Sequence, residues 1–182
     1  MFTISPTKFL FLLLCAISVT YGLELQDFKS KNIAIQGRFL QEKYLQHFKQ
    51  TLTSNGEFQL NQNQLFWHIL APIQQKLKIT NNGIFTENPQ TQTWQELKQN
   101  YDKKLILDLL NFDFIALQKY FVISIKGNSE QWQITLTPNN IWLNKIFKTI
   151  HLEGSEYLHK IIFIEVNGDQ TTNTFHHITK LQ

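Results

Sequence analysis

A chain of 182 residues has the length for one domain whose core folds without disulfides. With 42% hydrophobic, 13% aromatic and only 17% charged residues, it is too greasy and too rich in rings for a disordered segment. The formal net charge of +3 falls short of the basic stripe of a nucleic-acid binder, and Arg38 is the only arginine, so nucleic acid is not an expected partner.

The first residues read as an export signal. Lys8 closes a short, weakly basic start, and Phe9 to Ile17 is an unbroken apolar run. Val19-Thr20-Tyr21-Gly22 then supplies a small residue for cleavage after Gly22. This predicts a signal peptide over 1–22 and a single mature domain over 23–182. The apolar run is too short to span a bilayer comfortably, and an uncleaved membrane anchor is the alternative reading. Leu13 and Leu14 precede Cys15 where a lipidated cysteine needs small residues. Cys15, the only cysteine, leaves with the signal, so the mature chain has no thiol, disulfide or Cys-based metal site. A thiol-free exported protein points to a bacterial periplasm.

Leu25 and Phe28 suggest a helical turn or two between Leu23 and Lys31. From Asn32 the apolar period becomes two, with Ile33, Ile35, Gly37 and Phe39 on one face. Ser54-Asn55-Gly56 reads as a turn, and Glu57 to Leu60 as a strand. After Asn61-Gln62-Asn63, residues Leu65, Trp67 and Ile69 alternate as far as Ala71-Pro72. Leu77 to Thr80 and Ile84-Phe85 flank Asn81-Asn82-Gly83, a strong hairpin signal. Beyond Pro89, Trp94, Leu97, Tyr101, Leu105, Leu109 and Phe112 recur at steps of three and four, which predicts a helix. Asn111-Phe112-Asp113 ends it and opens a second helix with Asp113 as N-cap, carrying Phe114, Leu117 and Phe121 on one face. Strands follow through Phe121–Ile125, Trp132–Leu136, Ile146–Leu152, Ile161–Val166 and Gln170–Ile178, the last two turned by Asn167-Gly168. The order predicts a mainly β, α+β fold: an antiparallel sheet with helices on one side.

Catalytic chemistry is missing. There is no Gly-x-Ser-x-Gly elbow, no glycine-rich phosphate loop and no His-Glu-x-x-His spacing. His176 and His177 are neighbours in a strand, so they are expected on opposite faces and unable to chelate together. His151 and His159 are too far apart for a local motif, and Asp102, Asp108 and Asp113 sit among lysines as a solvated face. No enzyme activity, cofactor or metal is expected. What remains is apolar surface, from four tryptophans and fifteen phenylalanines among others. Alternation of this kind serves a filled core and a cavity wall equally.

Several segments, in order, resemble the LolA family of outer-membrane lipoprotein carriers. Gln36-Gly37-Arg38-Phe39-Leu40-Gln41-Glu42-Lys43 resembles its opening strand. Leu52 to Phe58, followed by Leu65-Phe66-Trp67-His68 and Pro72, is similar to its turn, aromatic, and Trp strand ending in Pro. Ile79 to Ile84 resembles the next hairpin, Leu105 to Phe121 the helical stretch, Trp132 to Pro138 a strand with Leu-x-Pro, and Ile161 to Phe175 the closing hairpin. The resemblance implies an incomplete antiparallel β-barrel with a helical lid over an apolar cavity. It implies a monomeric periplasmic carrier of acylated lipoprotein or other lipid cargo, with an inner-membrane donor transporter and an outer-membrane acceptor. One departure is that the family's arginine before the Trp strand, which holds the lid closed, is absent. Leu60-Asn61-Gln62-Asn63-Gln64 stands there, offering only neutral hydrogen bonds from Asn61 or Asn63.

On that reading the inward, lipid-facing side chains are Phe39, Phe58, Leu60, Leu65, Trp67, Ile69, Leu77, Ile79, Trp132, Ile134 and Leu136. Leu97, Leu105, Leu109 and Phe112 form the lid. Phe66 and Leu70 make the opposite face of one strand apolar too, which weakens its parity. The alternative of another class is a non-transport interaction module with a filled core, docking an envelope lipid or glycolipid assembly system.

Overall fold

The computed structural model describes residues 34–61, 63–97 and 103–181. The expected signal peptide, the turn expected over 23–31, and Ile33, Tyr101 and Asp102 lie outside them. The described residues form eleven strands in one antiparallel sheet, open at both edges. In chain order these are β1 (Ile35–Leu45), β2 (Gln50–Asn61), β3 (Gln64–Ala71), β4 (Gln75–Thr80), β5 (Ile84–Glu87) and β6 (Trp94–Glu96). Two helices follow, α1 (Lys103–Leu110) and α2 (Phe114–Leu117). The chain then continues with β7 (Phe121–Asn128), β8 (Gln131–Pro138), a 3-10 helix (Leu143–Lys145), β9 (Phe147–Gly154), β10 (Leu158–Glu165) and β11 (Gln170–Lys180).

Strand order is β6-β5-β4-β3-β2-β1-β11-β10-β9-β8-β7. Two runs of consecutive hairpins thus meet where β11 closes against β1, with Phe39 opposite Phe175. The helices lie between the runs in sequence, so they cross the trough that the runs enclose. The mainly β half-barrel expected from the sequence is the fold found.

Alternation sets the inner face. Gly56, Phe58 and Leu60 of β2 are buried while Asn55, Glu57 and Gln59 are exposed. In β8, Trp132, Ile134 and Leu136 are buried and their neighbours are not. Register aligns these residues into rows across the sheet. One row runs Ile79, Leu65, Leu60, Ile35 and the next Leu77, Trp67, Phe58, Gly37. The C-terminal half is sealed most completely, with Ile134, Leu136, Ile150 and Leu152 all fully buried.

Three expectations change. Ser54-Asn55-Gly56 is no turn but the middle of β2. The reversal falls at Gln46–Lys49 instead, and Lys49 takes a positive φ of 51° there. Glycine is needed at position 56 for close approach: the Phe39 ring lies over it, and a bulge interrupts the β2–β3 register beside it. The helical stripe expected from Trp94 begins later. Trp94 to Glu96 pair with β5 as an edge strand, so sheet pairing overrode a period-matched start. Third, His176 and His177 do not diverge. A bulge opposite Gly37 adds a residue to β11, His177 takes φ 52°, and the rings meet at 5.1 Å on the exposed side.

Gly56→Ala tests the close approach. Its Cβ would fall on the His68 carbonyl oxygen and the Phe39 ring. We expect a stability loss of about 2–3 kcal/mol, read as a fall in Tm of roughly 5–10 °C. An unchanged melting curve would show that the strands separate freely there.

Candidate functional site

The helices cover the trough incompletely. Between α1 and the sheet lies a cavity of about 300 Å³. Its N-terminal wall is Leu65 and Trp67 of β3 with Leu77 and Ile79 of β4. Its C-terminal wall is Ile150, Ile161, Phe163 and Phe175. Leu105, Ile106, Leu109 and Leu110 of α1 form the roof. Trp142, Leu143, Ile146 and Phe147 close one end, and Trp142 there is 44% exposed. Gln41 and Asn173 are the only amide side chains in the lining.

A smaller cavity of about 70 Å³ shares Leu65, Trp67, Leu110 and Phe175 and adds Phe58, Leu60 and Phe112. Trp67 stands between the two. Its ring stacks on Phe39 with centroids 3.7 Å apart and planes 20° apart, and meets Phe175 edge-on at 6.1 Å. Phe58 also meets Phe175, at 5.3 Å.

The expected site residues therefore divide. Leu65, Trp67, Leu77, Ile79, Leu105 and Leu109 line the larger cavity. Phe58, Leu60 and Phe112 line the smaller one. Phe39 is fully buried behind Trp67. Trp132, Ile134 and Leu136 are buried and line neither cavity. The Trp132 indole donates from Nε1 to the Ser155 carbonyl oxygen at 2.6 Å. Ile69 and Leu97 pack against the core without reaching either lining, and the Leu97 N–H bonds the Ile84 carbonyl. Sequence reasoning missed the contribution of β9, β10 and β11, although Ile161, Phe163, Asn173 and Phe175 alternate visibly.

The joint between the helices is a Schellman turn. The Asp113 N–H bonds the Asp108 carbonyl at 2.9 Å, and the Phe112 N–H approaches the Leu109 carbonyl at 3.4 Å. Phe112 occupies the left-handed position, φ 54°, where glycine is usual. Its ring compensates by packing on Trp132 at 5.4 Å and Phe114 at 5.8 Å. Asp113 caps α2 as expected, accepting from the Ala116 N–H at 3.0 Å.

Neither asparagine at the family's arginine position bonds α1. Asn61 Oδ1 accepts from the Asn63 N–H at 3.1 Å, and Asn63 Oδ1 accepts from Asn81 Nδ2 at 3.5 Å. These bonds join neighbouring turns. The helical cover carries its own ion pair instead. Lys104 Nζ donates to both carboxylate oxygens of buried Asp108, at 2.7 and 2.8 Å. Asp108 is thus no solvated acid. The hydrogen bond that Lys104 donates to Asp108 raises the lysine pKa above its ordinary 10.5, against a smaller desolvation effect. Among the described residues no cluster of three His, Cys, Asp or Glu side chains is placed to hold a metal.

The family model for outer membrane lipoprotein carrier protein LolA matches residues 30–182. The chain belongs to the LolA family. A search of curated proteins finds no match. Among solved structures, a LolA superfamily protein from Nitrosomonas europaea is similar at 9% identity and TM-score 0.48, covering 88% of this chain and 94% of that one. A putative outer membrane lipoprotein-sorting protein domain from Vibrio parahaemolyticus shows 6% identity and TM-score 0.39, covering 87% and 89%. LolA-family proteins are carriers rather than enzymes, and lipoprotein-sorting or lipid binding is the role this family supports.

The Lys104–Asp108 pair gives a test of the cover. Lys104→Met strands a buried carboxylate, and we expect a loss of about 1–2 kcal/mol, tempered by the exposure of the lysine head. Lys104→Arg should restore most of it. Because the folded-state lysine pKa is raised, the pair's stabilisation is full below pH 10.5 and fades as pH climbs through the folded value. Thermal melts of the three proteins at pH 7 and pH 11 check both points.

Proposed function

We propose that this protein is a periplasmic carrier that holds acyl chains of lipoproteins, or of a related lipid, in the cavity under α1. It receives them from an inner-membrane donor transporter and yields them to an outer-membrane acceptor. Residues 1–22 serve as the export signal in this reading, and the mature domain acts as a monomer. The observation that carries the reading is the cavity itself: about 300 Å³ and walled almost wholly by aliphatic and aromatic side chains. That volume lies at the lower bound of ligand pockets, roughly 300–1,000 Å³, so α1 must move outward for a long chain to enter fully.

The energetics favour this design. Each methylene withdrawn from water is worth about 0.8 kcal/mol, so a palmitoyl chain carries on the order of 12 kcal/mol of apolar driving force. A cavity lined by large side chains offsets most of that without catalysis. Transfer then follows affinity differences between donor, carrier and acceptor. A roof of short helices is the element that such a difference can displace.

The test is detergent-free purification from a bacterial periplasm, then native mass spectrometry with lipid extraction. Near-stoichiometric acylated species are expected, and they name the cargo class. Trp67→Glu and Leu77→Glu should each abolish the bound mass while far-ultraviolet circular dichroism stays native. A clean apo mass that also ignores added lipopeptide would sink the carrier reading in favour of a docking module with a filled core.

A further inference from the structure

The cavity wall is apolar except along one row of the sheet. Ser54 of β2, Gln41 of β1 and Asn173 of β11 are register partners on adjacent strands. The same row continues through Ile161 and Leu152, which are apolar. Three polar side chains therefore interrupt an inner face that is otherwise greasy.

Their hydrogen bonds run one way. Ser54 Oγ donates to Gln41 Oε1 at 3.4 Å, and Gln41 Nε2 donates to Asn173 Oδ1 at 2.8 Å. The relay ends at the Asn173 Nδ2 amino group, for which no side-chain hydrogen bond is found among the described residues. Asn173 is only 6% exposed, yet it lines the cavity. No fully enclosed side-chain nitrogen or oxygen among the described residues lacks a partner, so this amino group keeps accessible surface, and its residue lines the cavity. A donor without a protein acceptor is available to a ligand oxygen, whereas an aliphatic side chain would simply continue the apolar row.

Polarity also rises along β1. Phe39, Gln41 and Lys43 alternate onto one face. Phe39 lies against Trp67, Gln41 holds Asn173, and Lys43 Nζ pairs with Glu165 Oε1 at 3.4 Å. This face of β1 thus passes from hydrocarbon to amide to charge, with Gln41 the member that lines the cavity.

We propose that Asn173, oriented by Gln41 and Ser54, is the specificity-determining donor to the carbonyl oxygen that links an acyl chain to its carrier group. The tail lies toward Trp67 and the head group toward Lys43. This rests on the carrier reading and adds an orientation to it.

Two probes isolate the carbonyl. 1-Palmitoylglycerol and 1-O-hexadecylglycerol share head group and chain length, but the first has an ester and the second an ether. Each is titrated against bound N-phenyl-1-naphthylamine. The wild type should bind the ester about fivefold more tightly, as one neutral hydrogen bond gives. Asn173→Leu should bring the ratio to about one by weakening the ester alone. Gln41→Met keeps the donor but frees it, and should reduce the ratio partway; its Tm and that of Asn173→Leu check folding. Equal affinities in the wild type, or an ester preference that survives in folded Asn173→Leu, would overturn the assignment while leaving the carrier reading intact. Failure of both lipids to displace the dye would overturn the two together.

Discussion

The structure depends on a mismatch of size between an apolar sheet and the helices available to cover it. Eleven strands spaced about 4.8 Å apart make an arc of roughly 50 Å. The described helices have eight and four residues, which is about 12 Å and 6 Å of rise. Among the described residues, such pieces leave part of the inner face uncovered. The C-terminal strands receive the tightest cover, and Ile134, Leu136, Ile150 and Leu152 disappear from solvent. On the N-terminal side Trp67, Ile69 and Leu77 remain half-buried. The cavity is the consequence of this asymmetry rather than a separate invention.

A wall that is only half covered would ordinarily collapse or bind a neighbour. Rigid rings resist the first outcome. Trp67 is held flat by Phe39 and edge-on by Phe175, and Phe39 is itself fixed over Gly56. These residues come from β3, β1, β11 and β2, so the stack also ties together the two runs of hairpins at their junction. The helical cover is anchored at the far side. Phe112, held in a left-handed conformation that costs energy for a bulky residue, puts its ring on Trp132. A rigid floor and a short roof pinned at its C-terminal joint suit a cavity that must change volume without losing its fold.

Much of this was legible in the sequence because burial on one face of a strand imposes a period of two. The runs through Leu65–Ile69, Phe121–Ile125 and Trp132–Leu136 marked strands, and Asn82-Gly83 and Asn167-Gly168 marked the β4–β5 and β10–β11 hairpins. The N-cap at Asp113 was readable for the same local reason. What period could not reveal was which inward residues would be left against empty space. Trp132 and Trp67 have the same pattern around them, yet one is sealed under Phe112 and the other faces the cavity. That difference is set by where α1 comes to rest, which depends on contacts distant in sequence. Ser54-Asn55-Gly56 misled because a glycine needed beneath an aromatic ring has the composition of a turn. His176-His177 misled because a bulge breaks the parity on which the argument stood.

The loss of the arginine seen in the resemblance is informative once the local bonds are known. A charge-assisted latch from the sheet to the helices would add an enthalpic barrier to opening. Here Asn61 and Asn63 bond within neighbouring turns, and the buried carboxylate of the cover is neutralised from its own helix by Lys104. Charge satisfaction is therefore local to α1 and survives movement of that helix as a unit. Among the described residues, Leu105 and Leu109 bring apolar contact to the cavity wall, a non-directional force that an acyl chain could replace in kind. On the carrier reading proposed above, exchange of one greasy surface for another costs little, so a cover closed this way would yield to cargo more readily than one bolted by ion pairs across the trough.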